Sequence, residues 1–300
     1  MNRLYAWKNS QLPHLCLDLR TQAQYNACHL IPSTNIPFSQ LVVRQAELPP
    51  KYMPMAVLHT HDTTHAIDWL IQRGWHCPFV IPEEALDWKQ LIEQRWAASC
   101  DGRDNQKWVL FQPSPFLKKH ISYLEAKIER PTRTCLDMGC GAGRDISWIV
   151  STRQHWRATA FDSQPGAIQR MTQLVHYLNI QDRVQIGQVK FQHNQTWKWI
   201  SKPVPIQTYD LVLNIRFLSR PFWYKVPSLL NKGGCFVLSQ FLHDDDLCVY
   251  DQPKRSHRLE KGEIEEVFGQ MEDMEIIMNE IEKTEDGRPL QCVIIKRINP

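Results

Sequence analysis

The stretch Thr134-Cys-Leu-Asp-Met-Gly-Cys-Gly-Ala-Gly-Arg-Asp145 decides the fold. It sets Gly139, Gly141 and Gly143 directly after a buried-looking strand and directly before a helix. Alternating glycines let the chain turn tightly there and let a ligand approach backbone that any Cβ would shield. Such a ligand sits at the carboxyl edge of the strand. A dinucleotide pyrophosphate wants G-x-G-x-x-G so that it rests on the helix N-terminus, but the place of the last glycine holds Arg144. Asp137, just ahead of the loop, adds a negative charge that repels a pyrophosphate and favours an ammonium or sulfonium cation. Asp162 closes the next apolar run, Arg157-Ala-Thr-Ala-Phe-Asp162, where a carboxylate accepts hydrogen bonds from both hydroxyls of a ribose. The plainer alternative is that Asp137 and Asp162 cap strand ends in a ligand-free α/β domain.

Working outward, a helical pattern over 116–129 leads to Pro131, then strand 134–138, helix 145–153, strand 157–161 and helix 166–178. Strands recur at 183–188, 209–215, 234–240 and 290–298, with a helix at 261–269. This alternation predicts a doubly wound, mostly parallel sheet with helices on both faces. Towards the N-terminus, strands are predicted at 15–19, 55–58 and 77–81, and helices at 64–73, ended by Gly74, and at 83–96. They make a smaller α/β unit. The polar stretch 99–106 marks a linker. The expected organisation is a first domain over 1–98, a linker over 99–115 and a second domain over 116–300.

The chain has 300 residues, enough for two cores, and its 43% hydrophobic and 22% charged residues are those of a globular protein. No apolar run approaches the roughly 18 residues needed to cross a bilayer, and the first residues carry neither a secretory nor a transit pattern, so a cytoplasmic protein without a membrane partner is expected. Nine cysteines without a C-x-x-C pair argue against a disulfide framework and a zinc ribbon. Net charge is +3, with eight basic against eight acidic residues in the first 100, which leaves no electrostatic footprint for nucleic acid. Oligomeric state is not readable.

The residues Leu136-Asp-Met-Gly-Cys-Gly-Ala-Gly143 resemble the first motif of class I S-adenosylmethionine-dependent methyltransferases. Within that superfamily the chain is similar to the tellurite-resistance methyltransferase group. Gly143-Arg-Asp145 follows the glycine loop, and His257-Arg-Leu-Glu-Lys-Gly-Glu-Ile264 precedes a late helix. Tyr209-Asp-Leu-Val-Leu-Asn-Ile-Arg-Phe-Leu-Ser-Arg-Pro221 and Leu229-Leu-Asn-Lys-Gly-Gly-Cys-Phe-Val-Leu238 fit the group as well. The resemblance covers residues 116–300. It implies a Rossmann-like sheet with a reversed final hairpin and S-adenosylmethionine as cofactor. The implied cofactor residues are Asp137, Gly139, Cys140, Gly141, Gly143, Asp162, Ser163, Gln188, Asn214 and Ile215. The family often carries an acid after the third strand to hold the adenine, whereas here 183–190 offers Gln188 and Lys190.

Methyl transfer from a sulfonium is an in-line displacement whose main demands are alignment and exclusion of water. A small thiol, chalcogen oxyanion or other metabolite is the favoured acceptor, with protein or RNA as other options. Arg216, Arg220 and His243 are the acceptor-side candidates, at or beyond strand ends expected to face the cleft. The plain alternatives are a surface or packing arginine and a solvated histidine. Asp244, Asp245 and Asp246 invite a metal, but adjacent carboxylates on a loop do not all face one ion, and no metal is expected. A non-catalytic S-adenosylmethionine-binding sensor or scaffold is the competing function. A nicotinamide dehydrogenase is disfavoured by Arg144 and Asp137.

Residues 17–38 resemble the opening of a rhodanese domain, with Asp18-Leu-Arg20, then Tyr25, then His29-Leu-Ile-Pro32 and Asn35-Ile-Pro37 in the family's order. After the second strand that family has a persulfide-carrying cysteine, where this chain has His59-Thr-His-Asp-Thr-Thr64. Imidazole forms no persulfide, and Cys16, Cys28 and Cys77 fall elsewhere, so the domain is expected to be inert as a sulfurtransferase. His59, His61 and His65 fix no fourth metal ligand by spacing and read as a satisfied or solvated loop.

Overall fold

The computed structural model describes residues 2–99, 107–194 and 196–298. Residues 100–106, most of the polar stretch read as linker, lie outside them. The chain divides into two units, Met1–Gln112 and Pro113–Pro300.

The first unit runs α1 (Asn2–Lys8), β1 (Cys16–Asp18), α2 (Gln22–Ala27), β2 (Cys28–Leu30), β3 (Thr34–Asn35), β4 (Ala56–His59), α3 (His65–Gln72), β5 (Phe79–Pro82), α4 (Trp88–Glu93) and β6 (Ala97–Ser99). Strands β3-β1-β4-β5 form a parallel sheet, and β2 pairs antiparallel with β6. Thr21 starts α2 with a capping box, its hydroxyl accepting the Gln24 N–H while the Gln24 side chain accepts the Thr21 N–H. Arg20 is the buried cross-brace. It forks onto Asp18 at 2.7 Å, pairs with Glu83 at 2.7 Å and donates to the Cys28 carbonyl at 2.7 Å. Arg20 and Asp18 are 2% and 0% exposed, so the ion pair is tolerated only because its hydrogen bonds are made.

Two sequence expectations need correction here. The single helix over 83–96 is broken: Glu83–Ala85 form one 3-10 turn, and Asp87 caps the separate helix α4 by accepting the Gln90 N–H at 3.1 Å. An aspartate competes with the helix ladder from its interior and serves better at its start. Residues 107–112, counted above as linker, belong to the first unit. Leu110 is buried in its core, and the Trp108 carbonyl accepts from Thr34 Oγ1 at 2.8 Å.

The second unit runs α5 (Pro115–Glu125), β7 (Arg133–Met138), α6 (Arg144–Thr152), β8 (Trp156–Asp162), α7 (Pro165–Tyr177), β9 (Val184–Phe191), β10 (Trp197–Trp199), β11 (Tyr209–Ile215), α8 (Arg220–Trp223), α9 (Val226–Leu229), β12 (Leu230–His243), β13 (Leu259–Glu260), α10 (Glu263–Phe268), β14 (Met274–Lys283) and β15 (Pro289–Arg297). The strand order is β10-β9-β8-β7-β11-β12-β15-β14, with β13 on β12. Strands β9, β8, β7, β11 and β12 are parallel. Strand β15 lies antiparallel between β12 and β14 and so makes the reversed final hairpin. The chain steps from β7 outward through β8 and β9, then returns to the other side of β7 at β11. That reversal is the topological switch point of a doubly wound, Rossmann-like sheet, the place where such sheets hold ligands.

Burial explains the parallel core. Strand β11, Tyr209–Ile215, is buried over six of its seven residues, and Leu136, Phe161, Val212 and Phe236 join one apolar cluster with Trp223 and Phe268. Strand β14 escaped the sequence reading. As an edge strand it alternates half-buried and exposed side chains only over Met278–Lys283, after a register shift between Ile276 and Met278, and its charged residues hide the apolar signal.

Candidate functional site

The glycine loop is built by hydrogen bonds that only a tight turn permits. The N–H groups of Gly139 and Cys140 both donate to the Phe161 carbonyl, at 2.8 and 3.0 Å, which curls the chain over the end of β8. Gly139, Gly141 and Gly143 all have positive φ, at 78°, 56° and 77°. Their surroundings differ. A Cβ on Gly139 would strike Phe217 and one on Gly143 would strike Met171, whereas nothing lies within 4 Å of a Cβ on Gly141. Two of the glycines are thus demanded by packing, and the middle one faces open space.

Asp162 clasps this loop. Its Oδ2 accepts the Gly141 N–H at 2.9 Å and its Oδ1 accepts the Gln164 N–H at 2.8 Å. Each oxygen keeps a second lone pair for a ligand hydroxyl. Asp137 ends inside the sheet, 4% exposed, and among the described residues no donor reaches its carboxylate. Burial, then the charges of Asp145 and Asp162, push it well above the ordinary carboxylate range. Burial likewise pushes up the Cys140 thiol, with Asp137 and Asp162 adding to it. Both groups are thereby held towards their neutral forms, and a cation beside them would favour ionisation.

Across the switch point, Asn214 is fully buried at the end of β11. Its Nδ2 donates to the Met138 carbonyl at 3.3 Å, Gln240 Nε2 donates to the Asn214 carbonyl at 3.1 Å, and Asn214 Oδ1 is left without a donor. Ile215 follows, in register with Ser239. Further along the edge, Gln188 pairs in register with Asp162, and its Nε2 donates to the Ser163 carbonyl at 3.2 Å. The structure therefore gathers Asp137, Gly139, Cys140, Gly141, Gly143, Asp162, Ser163, Gln188, Asn214 and Ile215 along one carboxyl edge.

The acceptor-side residues fare differently. Arg220 is spent on the fold: it forks onto Glu263, Nη2 at 2.8 Å from Oε2, and also donates to the Arg258 carbonyl at 2.9 Å. Its side of the alternatives is the packing pair. His243 lies at the end of β12 in register with Glu260, its Nδ1 3.8 Å from Asp245. Arg216 follows β11, is exposed, and among the described residues forms no such pair. Among the described residues no group of three His, Cys, Asp or Glu side chains is placed to hold a metal. The sequence reading gave no role to Asp145, whose Oδ1 accepts the Ser114 N–H at 2.6 Å, or to Phe217, which closes over Gly139. A carboxylate two residues beyond the last glycine was the available signal for the first, whereas Phe217 carried none.

A glycine loop at a switch point, clasped by the acid that ends the neighbouring strand, places this unit among the doubly wound α/β proteins that bind ligands at their carboxyl edge. The chain belongs to one family with the uncharacterized protein UNK4.09 of Schizosaccharomyces pombe, at 30% identity over 321 residues, 94% of this chain and 93% of that protein. No family model matches the sequence. Among solved structures it is similar to TehB from Haemophilus influenzae, at 19% identity and a TM-score of 0.45, over 61% of this chain and 66% of that one, just under two thirds of its length. It is also similar to an rRNA methylase from Streptococcus thermophilus, at 15% identity and a TM-score of 0.43, over 62% and 97% of the two chains. A coclaurine N-methyltransferase solved with N-methylheliamine and SAH matches at 13% identity and a TM-score of 0.44, over 61% and 72%.

Proposed function

We propose that the second unit is an S-adenosylmethionine-dependent methyltransferase acting on a small-molecule acceptor. The observation that carries this reading is the pairing of a ribose-competent carboxylate, Asp162, which holds Gly141, with a buried carboxylate lacking a protein donor, Asp137, on the neighbouring strands that flank the glycine loop. Asp162 keeps lone pairs for two ribose hydroxyls, and Asp137, held towards its protonated form by burial, is ionised more readily when the cationic methionine end lies beside it. The same charges oppose a pyrophosphate, which speaks against a dinucleotide.

S-adenosylmethionine supplies an electrophilic methyl group on a sulfonium. The work left to the chain is to hold and align it. The Asp162 clasp fixes the loop, and Asn214 Oδ1, buried and without a donor, is set to accept from the ammonium. Phe217 packs on the loop beside it and helps keep water out. Calorimetric titration of the full chain with S-adenosylmethionine, S-adenosylhomocysteine and NAD tests the reading. Micromolar binding of the first two alone, about −8 kcal/mol, is expected. Binding of NAD alone would overturn it, and saturable cofactor binding without turnover on any thiol, oxyanion, RNA or protein would favour the sensor or scaffold.

We further infer that the first unit is a rhodanese-like module without sulfurtransferase chemistry, serving docking, stability or oligomerisation. His59 closes β4 where the sulfur-carrying thiol is needed, and its Nδ1 lies 2.9 Å from the Thr60 carbonyl. Burial raises the thiols of Cys16 and Cys77, the latter to about 11, which leaves little nucleophilic thiolate at neutral pH. Sulfur transfer from thiosulfate to cyanide by the wild-type protein would sink this inference.

A further inference from the structure

The first unit has a cavity of about 670 Å³ at the carboxyl ends of β4 and β5. Its apolar walls are Leu4 of α1, Val80, Ile81 and Pro82 of β5, and Ala85 of the following 3-10 turn. His59 and Pro82, the last residues of the two strands, stand in register there. Cavities of roughly 300–1,000 Å³ hold small molecules, and the carboxyl edge of an open parallel sheet is a usual place for them.

The walls are held in place by the fold. Leu4 and Trp7, each 1% exposed, seat α1 in one apolar cluster with Ile81, and Lys8 Nζ donates to the Ile31 carbonyl. On the other side the turn after β4 is tied down twice. The Thr60 N–H donates to Thr63 Oγ1 at 3.0 Å, and the His61 N–H donates to Glu84 Oε1 at 3.1 Å, one residue before Ala85. His59 is the buried polar side chain of the lining, 7% exposed, whereas Arg3, which also lines the cavity, is exposed. The His59 Nδ1 lies 2.9 Å from the Thr60 carbonyl, and a carbonyl only accepts, so the neutral ring carries its proton on Nδ1 and presents a lone pair at Nε2. Among the described residues no donor reaches that Nε2. A buried acceptor calls for a donor.

We propose that this cavity is a binding site for a small, largely apolar molecule that presents a hydroxyl to His59 Nε2. The apolar walls select the body of the ligand, and the imidazole lone pair selects its polar end. A cation is not what the lining accommodates, because no carboxylate is part of it. An amide fits less well than a hydroxyl, since it brings a carbonyl that needs a donor of its own, and the side chains of Leu4, Val80, Ile81, Pro82 and Ala85 offer none. The site is built from the first unit alone and rests on neither functional reading above.

The experiment titrates the full chain with three probes of one shape, para-cresol, para-xylene and para-toluate, and reads binding by calorimetry. The wild type is expected to bind para-cresol saturably and para-xylene at least fivefold more weakly, a comparison that needs no variant. His59→Phe keeps a ring of similar size but removes the acceptor, so it should weaken para-cresol binding at least fivefold and leave para-xylene binding unchanged. Ala85→Phe fills the cavity and should abolish the binding of both, with thermal melts showing that each variant is folded. Equal affinity of the wild type for para-cresol and para-xylene overturns the hydrogen bond to His59. No saturable binding of para-cresol, or binding unchanged in Ala85→Phe, overturns the site. Tighter binding of para-toluate than of para-cresol, lost in Arg3→Gln, overturns the ligand class, because the cavity then takes an anion through Arg3.

Discussion

Asp162 accepts the Gly141 N–H at 2.9 Å, so the acid at the end of β8 holds in shape the middle glycine of the loop that follows β7. One side chain thereby ties two strands' ends together and presents its remaining lone pairs to the open space above Gly141. The same carboxylate is a brace of the loop and a ligand group.

Replacing it should therefore cost twice. Asp162→Ala is expected to weaken S-adenosylhomocysteine binding at least tenfold and to lower loop stability, since hydrogen bonds to a charged group are worth about 1.5–3 kcal/mol each. Asp162→Asn should restore part of the thermal stability and little of the affinity. Calorimetry and thermal melts read the two effects, and full affinity in the alanine variant would take Asp162 out of the site.

The three glycines should separate by what stands beside them. Gly141→Ala meets no atom, so it should fold with only the positive-φ penalty of about 1–2 kcal/mol while occupying the ligand's space. Gly143→Ala collides with Met171 and adds about 1–3 kcal/mol of overpacking. The first variant should lose S-adenosylhomocysteine binding and keep its melt close to wild type; the second should lose both. Retained binding in Gly141→Ala would show that the ligand lies elsewhere.

Asp137 makes the site sensitive to pH. Because burial and the charges of Asp145 and Asp162 raise its pKa in the folded state, the folded protein retains a proton that the unfolded chain releases near pH 3.9, about the ordinary value. Stability of the unliganded protein thus falls as pH rises from there through the raised pKa, and levels above it. Asp137→Asn should remove this loss, raising the melting temperature at about pH 8 and flattening its dependence on pH across that window. A cation favours the ionised form, so the wild type should bind S-adenosylmethionine more weakly in acid, and the asparagine variant at least tenfold more weakly at neutral pH. Equal affinity of the two proteins at neutral pH would remove Asp137 from the cofactor site.

In the first unit the decisive group is Arg20. Its loss leaves Asp18 buried and unpaired, at a cost of about 3–5 kcal/mol. Arg20→Ala should therefore abolish hydrogen-exchange protection in β1, β4 and β5 of the full chain. Arg220→Ala, by contrast, breaks a pair whose arginine is 39% exposed, and should cost no more than about 1 kcal/mol with unchanged S-adenosylhomocysteine affinity. Wild-type protection in the Arg20 variant would show that the network is dispensable.

By itself the sequence determined the doubly wound sheet and the residues along its edge. Glycine spacing and continuous apolar runs are local signals, and Asp137 and Asp162 stand at strand ends that those signals mark. It did not show β14, whose edge position gives it only a half-buried face, nor the break at Asp87, where a side-chain cap outbids helix periodicity. Tertiary structure alone decided how the arginines divide. Arg216 and Arg220 lie four residues apart and look alike in the chain, yet Arg220 meets Glu263 across 43 residues, and Arg216, exposed after β11, meets no carboxylate at bonding distance among the described residues. A side chain's partner is chosen by packing between distant segments, and sequence spacing carries no record of that choice.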